Sequence, residues 1–187
     1  MEPETNNSVN SSSNYWPSVI LASVIFGLIS FALTIGAGYY TINSEPSNSV
    51  LNPSTIVGAI TCLFTAFGGM LAVWHFTREK ADSLTIGKGA LIGLLTGLII
   101  GLLSLFLTNI VWPLFDPSYS DKIIDATIKT MQSRGMTQEQ LQKMSDMMHS
   151  GSPWKSIGYA VNVVVFAFLN MVTGMVGAKM FSEDNDQ

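Results

Sequence analysis

A chain of 187 residues that is 48% hydrophobic and only 12% charged falls well below the roughly 25% charge of an average soluble domain, and its charges are segregated so that long blocks carry none. A formal net charge of −4, with basic residues scattered through the loops, argues against nucleic acid, which calls for a basic patch or stripe. The single cysteine, Cys62, excludes an internal disulfide and reads as a small packing residue in an apolar run.

Residues 1–16 are rich in Asn and Ser, carry Glu2 and Glu4, and bury too little apolar surface to order themselves, so a disordered polar tail is expected. From 17 to 181 the pattern is that of an all-α, four-helix transmembrane domain. The first predicted span, about 17–40, is too long for a signal h-region and has no Lys or Arg before it, which makes it a retained helix. Ser23, Gly27, Ser30, Thr34 and Gly38 give it a small face. A polar connection with Pro46 follows, and Asn52 is placed to cap the second span, about 53–76, with Pro53 in its first turn. Gly58, Cys62, Thr65 and Gly69 form its small stripe, and Trp74 marks its end.

Residues 77–88 set Arg78, Lys80 and Lys88 against Glu79 and Asp82. The third span, about 86–112, contains 24 uncharged residues from Gly89 to Trp112, a helix of about 36 Å against a hydrocarbon core of about 30 Å. Gly89, Gly93, Gly97 and Gly101 recur every four residues and draw one small stripe, a glycine zipper, with Leu91, Leu95, Leu98, Leu102 and Leu105 roughly opposite. Lipid tails are as apolar as leucine, so a helix gains from contact only through a face that lets another backbone come close. That face serves packing inside one bundle, or else association into a homo-oligomer or with other membrane proteins.

An extramembrane helical hairpin is expected at about 118–150. Ile124, Ile128 and Met131 recur at helical spacing, Gly135 suits a left-handed stop, Thr137 and Gln140 make a capping box, and Leu141, Met144, Met147 and Met148 continue an apolar stripe. The fourth span, about 155–181, aligns Ala160, Ala167, Asn170, Gly174 and Ala178, with Lys179 near enough to its end to snorkel; residues 182–187 are an acidic tail. Trp16 and Trp74 fall at one boundary, Trp112 and Trp154 at the other, as aromatic belts require. The 77–88 loop packs three basic residues into 12, whereas residues 114–156 dilute five over 43, which favours both termini in the cytoplasm.

Between Val19 and Tyr40, Thr55 and Trp74, Gly89 and Trp112, and Ile157 and Ala178 there is no Asp, Glu, Lys, Arg or His, and His75, one residue past Trp74, is the nearest exception. Ionisable groups at membrane depth are costly and mark proton relays and ion-coupled carriers, so their absence disfavours such transport. His75 reads as an interfacial belt residue, with pH sensing or ligand binding the lesser alternative. Asn109, Asn162 and Asn170 read by position as buried amides bonding across helices, or else as the lining of a sparse polar path. Met144, Met147, Met148 and His149 invite a Cu(I) reading, although methionine also fills irregular apolar contacts, and packing or membrane-surface contact is the stronger reading. Gly87–Lys88–Gly89 lacks both the earlier glycine and the strand of a phosphate loop, and Lys88 reads as an anchor to lipid heads. No nucleophile stands beside a His and a carboxylate, and there is no H-E-x-x-H; no catalytic, cofactor-binding or metal residue is expected.

The run Leu84–Gly93, LTIGKGALIG, opening a membrane helix, then FDPSYSDKIIDATIKTMQSRGMTQEQLQKMSDMM at 115–148 and another span, resembles the bacterial four-helix family known as domain of unknown function 4199. The resemblance implies an inner-membrane protein of Bacteroidota-like bacteria and brings no known activity, cofactor or functional residue. The chain departs from the family in lacking prolines between Ile157 and Phe181. The expectation is a non-enzymatic structural or accessory membrane protein partnered by membrane lipids; an oligomeric permeation protein for small solutes or ions is the alternative, and soft-metal handling by the hairpin a weaker one.

Overall fold

The computed structural model describes residues 14–46, 53–79, 84–149 and 153–182. All regular structure among them is helical. We label the helices α1 (Trp16–Asn43), α2 (Pro53–Glu79), α3 (Ile86–Phe106), α4 (Tyr119–Ser133), α5 (Gln138–His149) and α6 (Pro153–Ser182). α1, α2, α6 and the third segment, from α3 through Leu114, are long and apolar enough to cross a membrane, and the chain is a multi-pass membrane protein.

Local chemistry accounts for the boundaries. Pro17 sits in the first turn of α1, where its missing N–H costs nothing. Thr85 caps α3, its Oγ1 accepting from the Lys88 N–H at 3.3 Å. Asn52, expected to cap α2, lies outside the described residues. In the hairpin the capping box forms as expected: Thr137 N–H donates to Gln140 Oε1 at 3.0 Å, and Gln140 N–H to Thr137 Oγ1 at 3.4 Å. Gly135 adopts φ 85°, the left-handed value that stops α4.

The bundle is tight at one end and open at the other. The most extensive interface joins α3 to α6. A Cβ at Gly89 would strike Ala178 and the Gly174 carbonyl, one at Gly93 the Asn170 carbonyl, and one at Gly97 the Phe166 carbonyl and Ala167 Cα. At Gly101 the nearest atom is Val163 Cα at 3.2 Å, and at Gly158 and Gly58, further along, nothing stands within 4 Å. Val19, Ala22, Ala72, Val73, Phe76, Leu84, Ile92 and Ala178 pack the closed end, where α1 and α3 begin and α2 and α6 end. Between 28% and 39% of the most apolar window of each span is buried within the chain.

Interhelical hydrogen bonds reinforce the glycine contacts. Asn170, fully buried, accepts the Gly69 N–H on Oδ1 at 2.7 Å and donates from Nδ2 to the Phe166 carbonyl at 2.9 Å. Ser23 Oγ donates to the Thr96 carbonyl at 3.2 Å, and Thr173 to the Ala66 carbonyl.

The small faces are shorter than the sequence pattern. Thr34, Gly58 and Ala160, their members towards the open end, are exposed, because the helices have diverged there. Leu91 and Leu102 face outward as expected, but Leu95 packs against the closed-end core.

Candidate functional site

The third segment does not continue as one α-helix to Trp112. It turns π-helical over Leu107–Val111 and then 3₁₀ over Trp112–Leu114, with the Trp112 N–H reaching back to the Leu107 carbonyl. Pro113 accounts for the break: it has no N–H for the Asn109 carbonyl and its ring crowds the preceding turn. Single π turns widen a helix and often accompany functional sites. Here the turn carries Thr108 and Asn109 into the splayed half of the bundle.

A cavity of about 760 Å³ opens at that place, walled by the end of α3 and the π turn, by α4 and α5, and by the start of α6. No residue of α3 before Gly101 lines it, so the glycine-packed half closes its floor. A second cavity of about 380 Å³ between α1, α2 and α6 shares Thr34, Gly158, Asn162 and Phe166 with the first.

The two sides of the larger cavity differ in chemistry. Ile123, Ile124, Met144, Met147 and Met148 of the hairpin form an apolar wall; Ser104, Thr108, Asn109, Tyr159 and Asn162 form a polar one. Tyr159 donates to Asn109 Oδ1 at 2.6 Å, and Asn109 Nδ2 donates to the Leu105 carbonyl at 3.0 Å, which ties α6 to the π turn. Thr61, Thr65 and Thr96 each donate to the carbonyl four residues earlier. Thr108 Oγ1 is buried and has no hydrogen-bond partner among the described residues.

The hairpin is held over this opening by a polar tether and an aromatic cluster. Tyr39, near the end of α1, donates to Asp116 Oδ2 at 2.6 Å; Ser118 donates to Oδ1 from its N–H and its hydroxyl; Lys122 Nζ stands 3.6 Å from Oδ2. The Tyr39 hydrogen bond, then the Ser118 hydroxyl and Lys122, hold the Asp116 carboxyl down at about 2 from an ordinary 3.8. The folded chain thus keeps this group ionised where the unfolded chain has bound its proton. The tether contributes stability above pH 3.8 and loses it as pH falls from 3.8 towards 2. Trp112 stacks edge-on to Phe31, Tyr39 and Tyr119 with centroids 5.8, 6.2 and 6.3 Å apart. Gly38 is required here, since a Cβ would occupy the place of the Tyr119 hydroxyl. Burial pushes the Tyr119 phenol up, so this group on the cavity wall stays neutral.

Other sequence-derived candidates fall elsewhere. Asn170 is a buried cross-helix amide as expected, and Asn109 also bonds across helices, to Tyr159, but Asn109 and Asn162 are exposed to the open half rather than buried, a correction that follows from the splaying of the helices. His75 Nδ1 pairs with Ser18 Oγ at 2.9 Å and lies 3.9 Å from Glu79, at the closed end and far in the bundle from the cavity. Met144, Met147 and Met148 line the cavity wall; the side chain of His149 lies outside the described residues, as does that of Trp154. Trp112 belongs to the aromatic cluster as well as marking the span's end. Trp74 meets the Arg78 guanidinium 4.6 Å above its ring.

The family described as "Protein of unknown function (DUF4199)" matches residues 22–181. The chain belongs to this family. The match runs from the first turns of α1 to the last of α6, so the closed end, the π turn and the hairpin are all parts of the DUF4199 unit. No curated protein and no solved structure matches the chain.

The π turn and the cavity were not foreseen from the sequence. Pro113 was the available signal, three residues beyond Ile110 in an otherwise unbroken apolar run.

Proposed function

We propose that the chain is a non-enzymatic integral membrane protein, set in a bacterial inner membrane with both termini in the cytoplasm, whose role is structural or accessory. It works by helix packing and by contact with lipids and neighbouring membrane proteins. The observation that carries this reading is how the interior polar groups are used. Ser18, Ser23, Thr65, Thr96 and Asn170 each bond to a neighbouring helix or to their own backbone, which commits these interior groups to packing, while the buried Ser30 hydroxyl has no partner among the described residues. No Asp, Glu, Lys or Arg stands at membrane depth to carry a proton or bind an ion. Arg78 and Lys88 at the closed end favour that end as the cytoplasmic one.

A multichain permeation protein is the second reading, favoured by the exposed Thr34, Asn109 and Asn162 around the two cavities. Vesicles containing the purified chain and a trapped pH dye, under an imposed potassium gradient with valinomycin, distinguish the two. The accessory reading expects proton leak equal to that of protein-free vesicles, and repeats with chloride and glycerol at the same baseline. Flux that scales with the amount of protein would overturn it.

A further inference from the structure

The cavity at the open end is too large and too chemically divided to be a packing defect. Its volume of about 760 Å³ lies within the roughly 300–1,000 Å³ of small-molecule sites. Helix contacts leave part of its polar wall unused: Asn162 lines the space from α6 and is exposed to it. The opposite wall offers Ile123, Ile124 and three methionines, side chains that adapt to a flexible hydrocarbon chain. None of the described lining residues is Asp, Glu, Lys, Arg or His. Against these walls a phosphate or carboxylate would lose water without meeting a cation, a cost that favours an uncharged ligand over phospholipids and ionised fatty acids.

We propose that this cavity binds an uncharged single-chain lipid of the surrounding membrane. Its hydroxyl or carbonyl oxygens meet Asn109 and Asn162, and its tail lies along the hairpin wall. Gly158 controls the space. It borders both cavities, and a Cβ built on it meets nothing within 4 Å among the described residues, so a large side chain there fills the site without disturbing the fold.

The test uses the full chain in phosphatidylcholine nanodiscs, free of sugar detergents that would compete. A monoacylglycerol with a diazirine in its tail is photolysed and the labelled residues are mapped by mass spectrometry, with a diazirine fatty acid of the same tail as control at pH 8. The monoacylglycerol is expected to label residues within 101–124 and 144–166, to be displaced by unlabelled monoolein, and to exceed the fatty acid there by at least about tenfold. Gly158→Phe should keep the melting temperature and cut this labelling by about tenfold or more.

Asn162→Leu gives a second readout. It removes an amide exposed to the cavity, so the empty protein should melt within about 1 °C of the parent, while monoolein competition weakens about three- to tenfold, the value of one hydrogen bond. Labelling spread evenly over lipid-facing positions such as Leu63 and Phe67, equal labelling of the cavity by the fatty acid, or monoolein competition unchanged in Asn162→Leu would overturn the proposal.

Discussion

Replacing Gly93 by leucine should prevent the bundle from forming. Gly93 lies where α3 and α6 approach backbone to backbone: a Cβ would overlap the Asn170 carbonyl, and Gly174 Cα is the next nearest group at 3.1 Å. A flexible side chain can move away from an intruding methyl; a carbonyl fixed in a helix cannot. The helices would have to separate, losing the Gly89 and Gly97 contacts and the Asn170 bond together. The expected cost exceeds the about 1–3 kcal/mol of ordinary overpacking. Leu102→Ala, which trims a side chain exposed to lipid, should change stability by less than about 0.5 kcal/mol. Size-exclusion profiles of heated, detergent-extracted protein give the comparison. A Gly93→Leu variant that elutes and melts like Leu102→Ala would show that α3 does not pack on α6 through this face.

Asn170→Leu should be the most damaging of the three asparagine replacements. Asn170 is fully buried, joins α6 to α2 through Gly69 and bonds its own helix through Phe166. Leucine keeps the γ-branched shape but loses the hydrogen bonds, and interhelical bonds in membranes are worth about 0.6 to 2 kcal/mol. Branched methyl groups beside Gly68 and Gly69, both of which crowd the amide, add strain. A total of about 1–2 kcal/mol corresponds to a fall in melting temperature of about 2–8 °C for a chain of this size. Asn162→Leu, at an exposed position on the cavity wall, should fall within about 1 °C of the parent. Thermal melts followed by tryptophan fluorescence measure both, and equal shifts would contradict the assignment of Asn170 as the cross-helix bond.

Spacing made the closed end legible. A glycine every four residues on α3 and small residues with Asn170 on α6 can be read as faces before their partners are known, because helical geometry places them in line. The hairpin was legible for the same kind of reason: Gly135, Thr137 and Gln140 act within a few residues of themselves. The cavity was not. It arises where four helices diverge, a relation between distant segments that the small faces alone do not disclose; Thr34, Gly58 and Ala160 continue their patterns into a region with nothing to pack against. The tether from Tyr39 to Asp116 spans 77 positions and has no local signature. The π turn had one, Pro113, but a proline near a span's end also suits a simple helix stop.

The claim that the glycine face is used within a single chain can be tested with a pair of cysteines. A Cβ at Gly101 stands 3.2 Å from Val163 Cα, close enough for a disulfide between the two positions. In a Cys62→Ser background, Gly101→Cys with Val163→Cys should crosslink in isolated membranes under mild oxidant and remain at the 20.3 kDa mass of one chain on a non-reducing gel, with both thiols lost to a maleimide reagent. Conversion to a disulfide-linked dimer, with little intramolecular product, would place α3 against α6 of another chain.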